Sequence, residues 1–172
     1  MLLSPDIDSY ALLPWTSPDR RRARLFCDIF RPDGSPYDGD PRGVLKRQLA
    51  KLEKRGWIFN VGSEPEFFLF NPNTNGSVHP VPHDVGSYFD FSPNDEEARV
   101  RSELMHALHT MGLEIEVGHH EVALGQHEID FRFADALKSA DNVLTMKCAV
   151  KAIAAQNGLV ASFMPKPVFG IN

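Results

Sequence analysis

Carboxylates placed two residues apart beside runs of large apolar side chains constrain this chain more than any other feature. In Glu64-Pro65-Glu66-Phe67-Phe68-Leu69-Phe70 the acids are i and i+2, and on a strand such residues share a face. Glu64, Glu66, Phe68 and Phe70 then line one side, and Pro65, Phe67 and Leu69 the other. A second segment repeats the pattern. Over 126–133, Glu128, Asp130 and Arg132 fall on one side of a strand and Ile129, Phe131 and Phe133 on the other, with Glu121 just before, across a turn at Gly125. If Glu64, Glu66, Glu121 and Glu128 converge, their repulsion raises their pKa values, and a hard divalent cation relieves it. An oxygen-rich site of this kind favours Mg²⁺ or Mn²⁺, with phosphate supplying further ligands. Spacing leaves a second reading open, in which these are solvated acids at a strand edge. His119 and His120 are adjacent, so on a strand they face opposite ways and one at most joins such a site.

Other chemistries are excluded by what the chain lacks. It has no HExxH zinc-protease motif, no nucleophile elbow for a Ser-His-Asp triad, and no GxxxxGK[ST] or GxGxxG phosphate loop. A net charge of -5 gives no basic field for nucleic acid or an anionic membrane. No apolar run is long enough to span a bilayer, and Met1-Leu2-Leu3-Ser4-Pro5-Asp6 meets proline and acid too early for a secretory signal. Cys27 and Cys148 are far apart and in no metal-like spacing, which fits reduced thiols in a cytoplasmic protein. At 172 residues, 42% hydrophobic and 24% charged, the chain suits one globular domain with a real core.

Along the chain, strands and helices alternate. Residues 1–23 read as an extended approach punctuated by Pro5, Pro14 and Pro18, with a solvated Arg20-Arg21-Arg22. Residues 25–30 form the first convincing strand. Asp40 as N-cap and Pro41 at the first helical position open a helix with Val44, Leu45, Leu49 and Leu52 as its apolar stripe, and Gly56 stops it. Residues 71–84 read as a loop with room for a short hairpin, and His79 and His83 within it have no evident partner. Residues 88–91 read as a short extended piece. Asn94 or Asp95 then caps a second helix, with Glu96 and Glu97 in its first turn and Val100, Leu104, Leu108 and Met111 on its apolar face; Gly112 closes it. His106 and His109 read as surface residues of that helix. A third helix spans about 135–157, broken near Asp141, and residues 159–163 form the last strand.

The chain resembles bacterial-type glutamine synthetases over essentially its whole length. The matching stretches are Cys27-Asp28-Ile29-Phe30-Arg31-Pro32-Asp33-Gly34, Gly39-Asp40-Pro41-Arg42, Gly62-Ser63-Glu64-Pro65-Glu66-Phe67-Phe68-Leu69-Phe70, residues 119–131, and Phe163-Met164-Pro165-Lys166-Pro167-Val168-Phe169-Gly170-Ile171-Asn172. The resemblance implies an α/β (α+β) fold, with a mainly antiparallel sheet carrying the carboxylates and helices on its outer face. Residues 1–23 would be the linker after an N-terminal β domain, and 24–172 the first half of the catalytic domain.

The reaction implied is ATP-dependent formation of glutamine from glutamate and ammonium through a γ-glutamyl phosphate, with Mg²⁺ or Mn²⁺. By motif, Glu66, Glu121 and Glu128 resemble the ligands of one metal and Glu64 a ligand of the second. Glu121 would also take the ammonium proton, Tyr88 would lie near the ammonium site, and Glu116 and Phe133 would line the nucleotide pocket. The family's stacked-ring homo-oligomers would be the assembly. The resemblance also implies that the chain is a fragment, inactive alone, because the family's remaining metal ligands and substrate-binding arginines lie beyond Asn172. A γ-glutamyl ligase acting on an amine such as a polyamine, and a non-catalytic remnant, are the alternatives.

Overall fold

The computed structural model describes residues 1–72, 80–91, 95 and 97–171, which form two compact units. The first comprises Met1–Gly62 and Phe133–Asn142, and the second Ser63–Arg132 with Val143–Asn172. His79, Asn94 and Glu96 lie outside the described residues.

In the first unit, β1 (Leu2–Pro5), β2 (Ala11–Leu12), β3 (Ala23–Arg24) and β4 (Cys27–Phe30) precede α1 (Pro41–Glu53), and β5 (Asn60–Ser63) follows it. The extended N-terminal residues find partners within the unit: β1 pairs antiparallel with β4, Leu2 opposite Phe30, and β2 with β3. Helix α1 begins as its sequence dictates. Asp40 accepts a hydrogen bond from the Arg42 N–H at 3.1 Å, Pro41 takes the first helical position, and Gly56, at φ 72°, ends the run. The other Asp40 oxygen accepts from the Ile29 N–H at 3.1 Å, tying the cap to β4. The apolar stripe of α1 is only partly covered, with Val44 40% exposed.

An ion-pair knot built on Arg42 joins the unit. Its guanidinium reaches Asp6 at 2.5 Å, Asp28 at 2.9 Å and Asp141 at 3.0 Å, and Lys46 joins Asp28 at 2.5 Å. The hydrogen bond from Arg42 holds Asp6 below the usual carboxylate range. Asp28 is lowered too, because its bonds to Lys46 and Arg42 outweigh the desolvation that opposes them.

The second unit is built on β6 (Glu66–Asn71). β7 (Val81–Pro82), α2 (Ala98–Thr110), β8 (Ile115–His120), β9 (Gln126–Asp135), α3 (Ala136–Gln156) and β10 (Val160–Ser162) follow in chain order, residues 133–142 of β9 and α3 belonging to the first unit. β6 pairs antiparallel with β10 along one edge and with β9 and β7 along the other, and β8 pairs antiparallel with β9. The sheet is therefore mainly antiparallel, as expected. The face bearing Phe67, Leu69, Ile129 and Phe131 is buried, and Val100, Leu104 and Leu108 of α2 and Met146, Val150 and Ile153 of α3 are buried with it. A side chain on Gly118 of β8 would meet the Met105 sulfur of α2 at 2.7 Å, which places α2 against that strand. On the opposite face Phe68 and Phe70 stack at 5.7 Å and pack with Ala123, Val168 and Ile171.

Three sequence expectations need correction. Helix α3 runs unbroken from Ala136 to Gln156; Asp141 does not interrupt it because its carboxylate is held by Arg42. Helix α2 starts at Ala98 with Glu97 as its N-cap residue. Asp95 and Glu97 are both buried and engaged elsewhere, with Arg101 and His83, so neither serves as a solvated first-turn acid. Residues 88–91 form a turn rather than a strand: the Asp90 N–H donates to the Ser87 carbonyl, the Asp90 side chain accepts from the Ser87 N–H, both at 2.9 Å, and Phe89 has φ 57°.

The turn between β8 and β9 carries its own test. Gly125 sits at φ 67°, and a Cβ there would lie 2.6 Å from the Leu69 carbonyl oxygen, a backbone atom that cannot swing away. Gly125→Ala is expected to cost about 1–3 kcal/mol, read as a lowered Tm; an unchanged Tm would show that the turn relaxes freely.

Candidate metal centre

Strand register brings the predicted acids together. Glu66 of β6 lies directly opposite Glu128 of β9, and Glu128 directly opposite His119 of β8. Three side chains of types that can ligate a metal thus form a row across three neighbouring strands on one face. The His119 Nε2 is 3.1 Å from the Glu128 carboxylate and its Nδ1 is 3.7 Å from Glu121. Because Nδ1 also contacts the His120 carbonyl at 2.9 Å, and a carbonyl only accepts, Nδ1 donates there and Nε2 is the nitrogen that faces Glu128. Gln126, next but one along β9, donates its amide to Glu66 at 2.5 Å.

The electrostatics are those of a crowded acid cluster, which the charge of His119 opposes at Asp130. Burial, then the charge of Asp130, a hydrogen bond with Glu121, and the charges of Glu121 and Glu66 push Glu128 up to about 8. Asp130 is raised by burial and by Glu64, with Glu116 and Glu121 adding to it. Glu64, Glu66, Glu116 and Glu121 therefore all act on Glu128 or Asp130 of β9. Among the described residues no Lys or Arg forms a salt bridge with Glu66, Glu121, Glu128 or Asp130. The Asp130 Oδ1 is buried without a hydrogen-bond partner among them. Ligand atoms of His119, Glu128 and Asp130 lie within 4.8 Å of one another. Hard oxygen donors with one imidazole, a surplus of negative charge and an orphaned oxygen fit a divalent cation such as Mg²⁺ or Mn²⁺.

Tyr88 stands at the border of this cluster, its ring edge-on to His119 at 5.5 Å, while Phe89 stacks flat on His119 at 4.2 Å. Glu116 is solvent-exposed on β8, at the irregularity in the β8–β9 register. Phe133, 57% exposed, belongs to the first unit, where a side chain on Gly62 would lie 3.7 Å from its Cβ.

Sequence reasoning left open which of the paired histidines joins the acids; the structure gives His119, and turns His120 to the other face. There Asp84, His120 and His127 are buried together, with ligand atoms within 4.8 Å of one another. The Asp84 Oδ1 meets the His120 Nε2 at 3.0 Å and accepts from the Gly125 N–H at 2.9 Å. Arg101, bound to both oxygens of Asp95, places its Nη1 3.0 Å from the His127 Nδ1. Burial, with the charge of His120, holds His127 down to about 3. Asp84 is lowered and His120 raised; in each, desolvation works against the shift and their mutual hydrogen bond prevails. No sequence pattern points to this network, in which Asp84 and the Gly125 amide it holds are 41 residues apart.

Residues 38–172 match the family described as glutamine synthetase, catalytic domain. The chain belongs to that family. A glutamine synthetase from Clostridium saccharobutylicum is 51% identical over 172 residues, covering 100% of this chain and 39% of the relative, and one from Methanococcus maripaludis is 50% identical over 173 residues, covering 100% and 38%. Among solved structures, a GmaS/ADP complex superposes with a TM-score of 0.86 at 32% identity, over 99% of this chain and 39% of that one. A cryo-EM Plasmodium falciparum glutamine synthetase gives 0.87 at 25% identity, over 97% and 38%. The chain thus spans about two fifths of the length of these glutamine synthetase relatives. No helix among its described residues is long and apolar enough to cross a membrane.

Proposed function

We infer that this chain provides the divalent-cation carboxylates of an ATP-dependent glutamate–ammonia ligase. The observation that carries the reading is the row Glu66, Glu128 and His119 across β6, β9 and β8, with Glu121 beside it and, among the described residues, no Lys or Arg in a salt bridge with any of these acids. Glu66, Glu121 and Glu128 would hold one Mg²⁺ or Mn²⁺, and Glu64 would contribute to a second on the ATP side. Bound there, the metals supply charge neutralisation for phosphoryl transfer from ATP to the glutamate side-chain carboxylate.

The chain's own residues do the rest. Glu121, a carboxylate at the rim of the row, would bind ammonium and accept its proton as the amide bond forms. Tyr88, edge-on to His119, would shield that position from water. Glu116, exposed on β8, would line the nucleotide pocket. The assembly would be a cytoplasmic homo-oligomer of stacked rings acting on glutamate, ammonium and ATP.

Calorimetric titration of the 172-residue chain with Mn²⁺ tests the metal reading: Glu66→Ala and Glu128→Ala should each abolish the heat of binding, and unchanged binding in both would refute it. Turnover is a separate matter. Phosphoryl transfer between anions needs cations aimed at the developing charge, and among the described residues no Lys or Arg forms a salt bridge with Glu66, Glu121, Glu128 or Asp130. The 172-residue chain alone is therefore expected to release no phosphate from ATP with glutamate and ammonium above a Glu66→Ala control. Phosphate release above that control would overturn this expectation, and product formed with a polyamine but not with ammonium would point to a γ-glutamyl-amine ligase.

A further inference from the structure

The buried Asp84, His120 and His127 have the composition of a metal site, but their hydrogen bonds assign them another role. The Arg101 guanidinium can only donate, so the His127 Nδ1, 3.0 Å from it, is the accepting nitrogen, and in the neutral ring the proton then sits on Nε2. That leaves no lone pair on the one nitrogen of His127 that faces Asp84, at 3.9 Å. A cation would also meet the Arg101 charge.

The remaining contacts run to the other side of the sheet, through the backbone. The Asp84 Oδ1 accepts from the Gly125 N–H at 2.9 Å and contacts the His120 Nε2 at 3.0 Å. The His120 Nδ1 contacts the Glu121 carbonyl at 2.6 Å, and since that oxygen only accepts, the ring donates to it. Asp84 and His120 together therefore hold both ends of the 121–125 turn, whose first residue presents its carboxylate to the acid row. The same ring registers the segment before it. A Cβ on Gly86 would lie 2.7 Å from the His120 ring, and the Phe89 N–H donates to the His120 carbonyl at 3.0 Å. Phe89 and Tyr88 in turn pack on His119.

We propose that Asp84 and His120 are positioning residues, a clamp behind the sheet that sets the backbone of Glu121 and of the Tyr88-Phe89 turn against the acid row. The part concerning metal affinity rests on the metal reading above; the clamp itself does not. Groups that orient the ligands of a metal typically change its affinity by about 10- to 100-fold when removed. Asp84→Ala is expected to weaken Mn²⁺ binding by a factor in that range, followed by the electron paramagnetic resonance signal of free Mn²⁺. In the metal-free chain it should speed hydrogen exchange at the Gly125 amide by about tenfold relative to the Ile129 amide in the core. Asp84→Asn keeps an oxygen acceptor and should restore both values to within about threefold of the unmodified chain.

Leu104→Ala, a cavity variant in α2 with no bond to the turn, separates positioning from mere stability. It should lower the Tm while leaving the Mn²⁺ affinity and the Gly125-to-Ile129 exchange ratio unchanged. The clamp is overturned if Asp84→Ala leaves the exchange ratio unaltered, or if Leu104→Ala shifts it equally. Should Asp84→Ala fail to fold, His120→Gln decides: a faster Phe89 amide relative to Ile129 supports the clamp, and an unchanged one overturns it. If the unmodified chain bound no Mn²⁺, the metal reading would fall, while the exchange ratios would still uphold or overturn the clamp.

Discussion

Replacing Glu128 by glutamine is expected to make the metal-free chain more stable and, at the same time, to erase its response to Mn²⁺. Glu128 faces Glu66 across one strand boundary and His119 across the other, with Asp130 and Glu121 close by. Burial and these neighbours push its carboxyl up to about 8, from 4.5 in the unfolded chain. Between those values the folded chain binds more protons than the unfolded one, so stability falls as pH rises through the window. Glutamine has nearly the same shape, carries no charge, and can donate to the surrounding carboxylates. The gain at neutral pH should be about 1–2 kcal/mol, discounted for the solvent the cluster still meets, or roughly 3–6 °C in Tm. The Tm of Glu128→Gln should also fall less between pH 5 and 8. The unmodified chain should gain stability on adding Mn²⁺, and the variant should not. A variant less stable than the unmodified chain at every pH would sink this account, because it would mean that the acids are already balanced without a metal.

That opposition between stability and ligation also explains why the site is partly legible in the amino-acid sequence. Period-two acids beside aromatics are a local pattern, and alternation alone puts Glu128 and Asp130 on one face and His119 and His120 on opposite ones. What alternation cannot supply is register. His119, rather than His120, joins the acids because β8 pairs with β9 so that His119 meets Glu128, with an irregularity between Ile115 and Val117 that resets the pairing. The helix boundaries failed for a related reason. Asp95, Glu97 and Asp141 look like solvated acids or breakers in a linear reading, but each is buried. Their partners, Arg101, His83 and Arg42, include residues as far as 99 positions away. The glycines that end helices or shape turns, such as Gly56 and Gly125, were legible because positive φ is a local demand. The clamp of Asp84 and His120 was not, since it is made by side chains crossing between a loop and a strand.

Arg42→Ala is expected to be the most destabilising single change in the first unit. The arginine side chain, 11% exposed, faces three carboxylates: Asp6 at 2.5 Å, Asp28 at 2.9 Å and Asp141 at 3.0 Å. Asp28 also meets a second cation, Lys46 at 2.5 Å. Deleting the guanidinium leaves partly buried acids that repel one another and have lost their strongest donors. Stranding one member of a buried pair costs about 3–5 kcal/mol. With Asp6 and Asp28 each about a quarter exposed, roughly 2–4 kcal/mol is expected here. Arg42→Lys should recover part of it, because an ammonium keeps the charge but cannot span three carboxylates with a planar fork.

The pH dependence distinguishes this from a packing defect. Asp6 and Asp28 are held below the ordinary carboxylate range when folded. Their contribution is therefore complete above the unfolded pKa of about 3.9 and is lost as pH falls through the lowered folded values. The gap between the unmodified chain and Arg42→Ala should be full at neutral pH and close progressively below about pH 4. Both tryptophans of the chain, Trp15 and Trp57, belong to the first unit. Urea unfolding followed by tryptophan fluorescence therefore reads this unit directly. A midpoint unchanged by Arg42→Ala, or a deficit that persists undiminished at pH 3, would show that the knot is a surface arrangement and that β1, β4 and α1 are held together by other contacts.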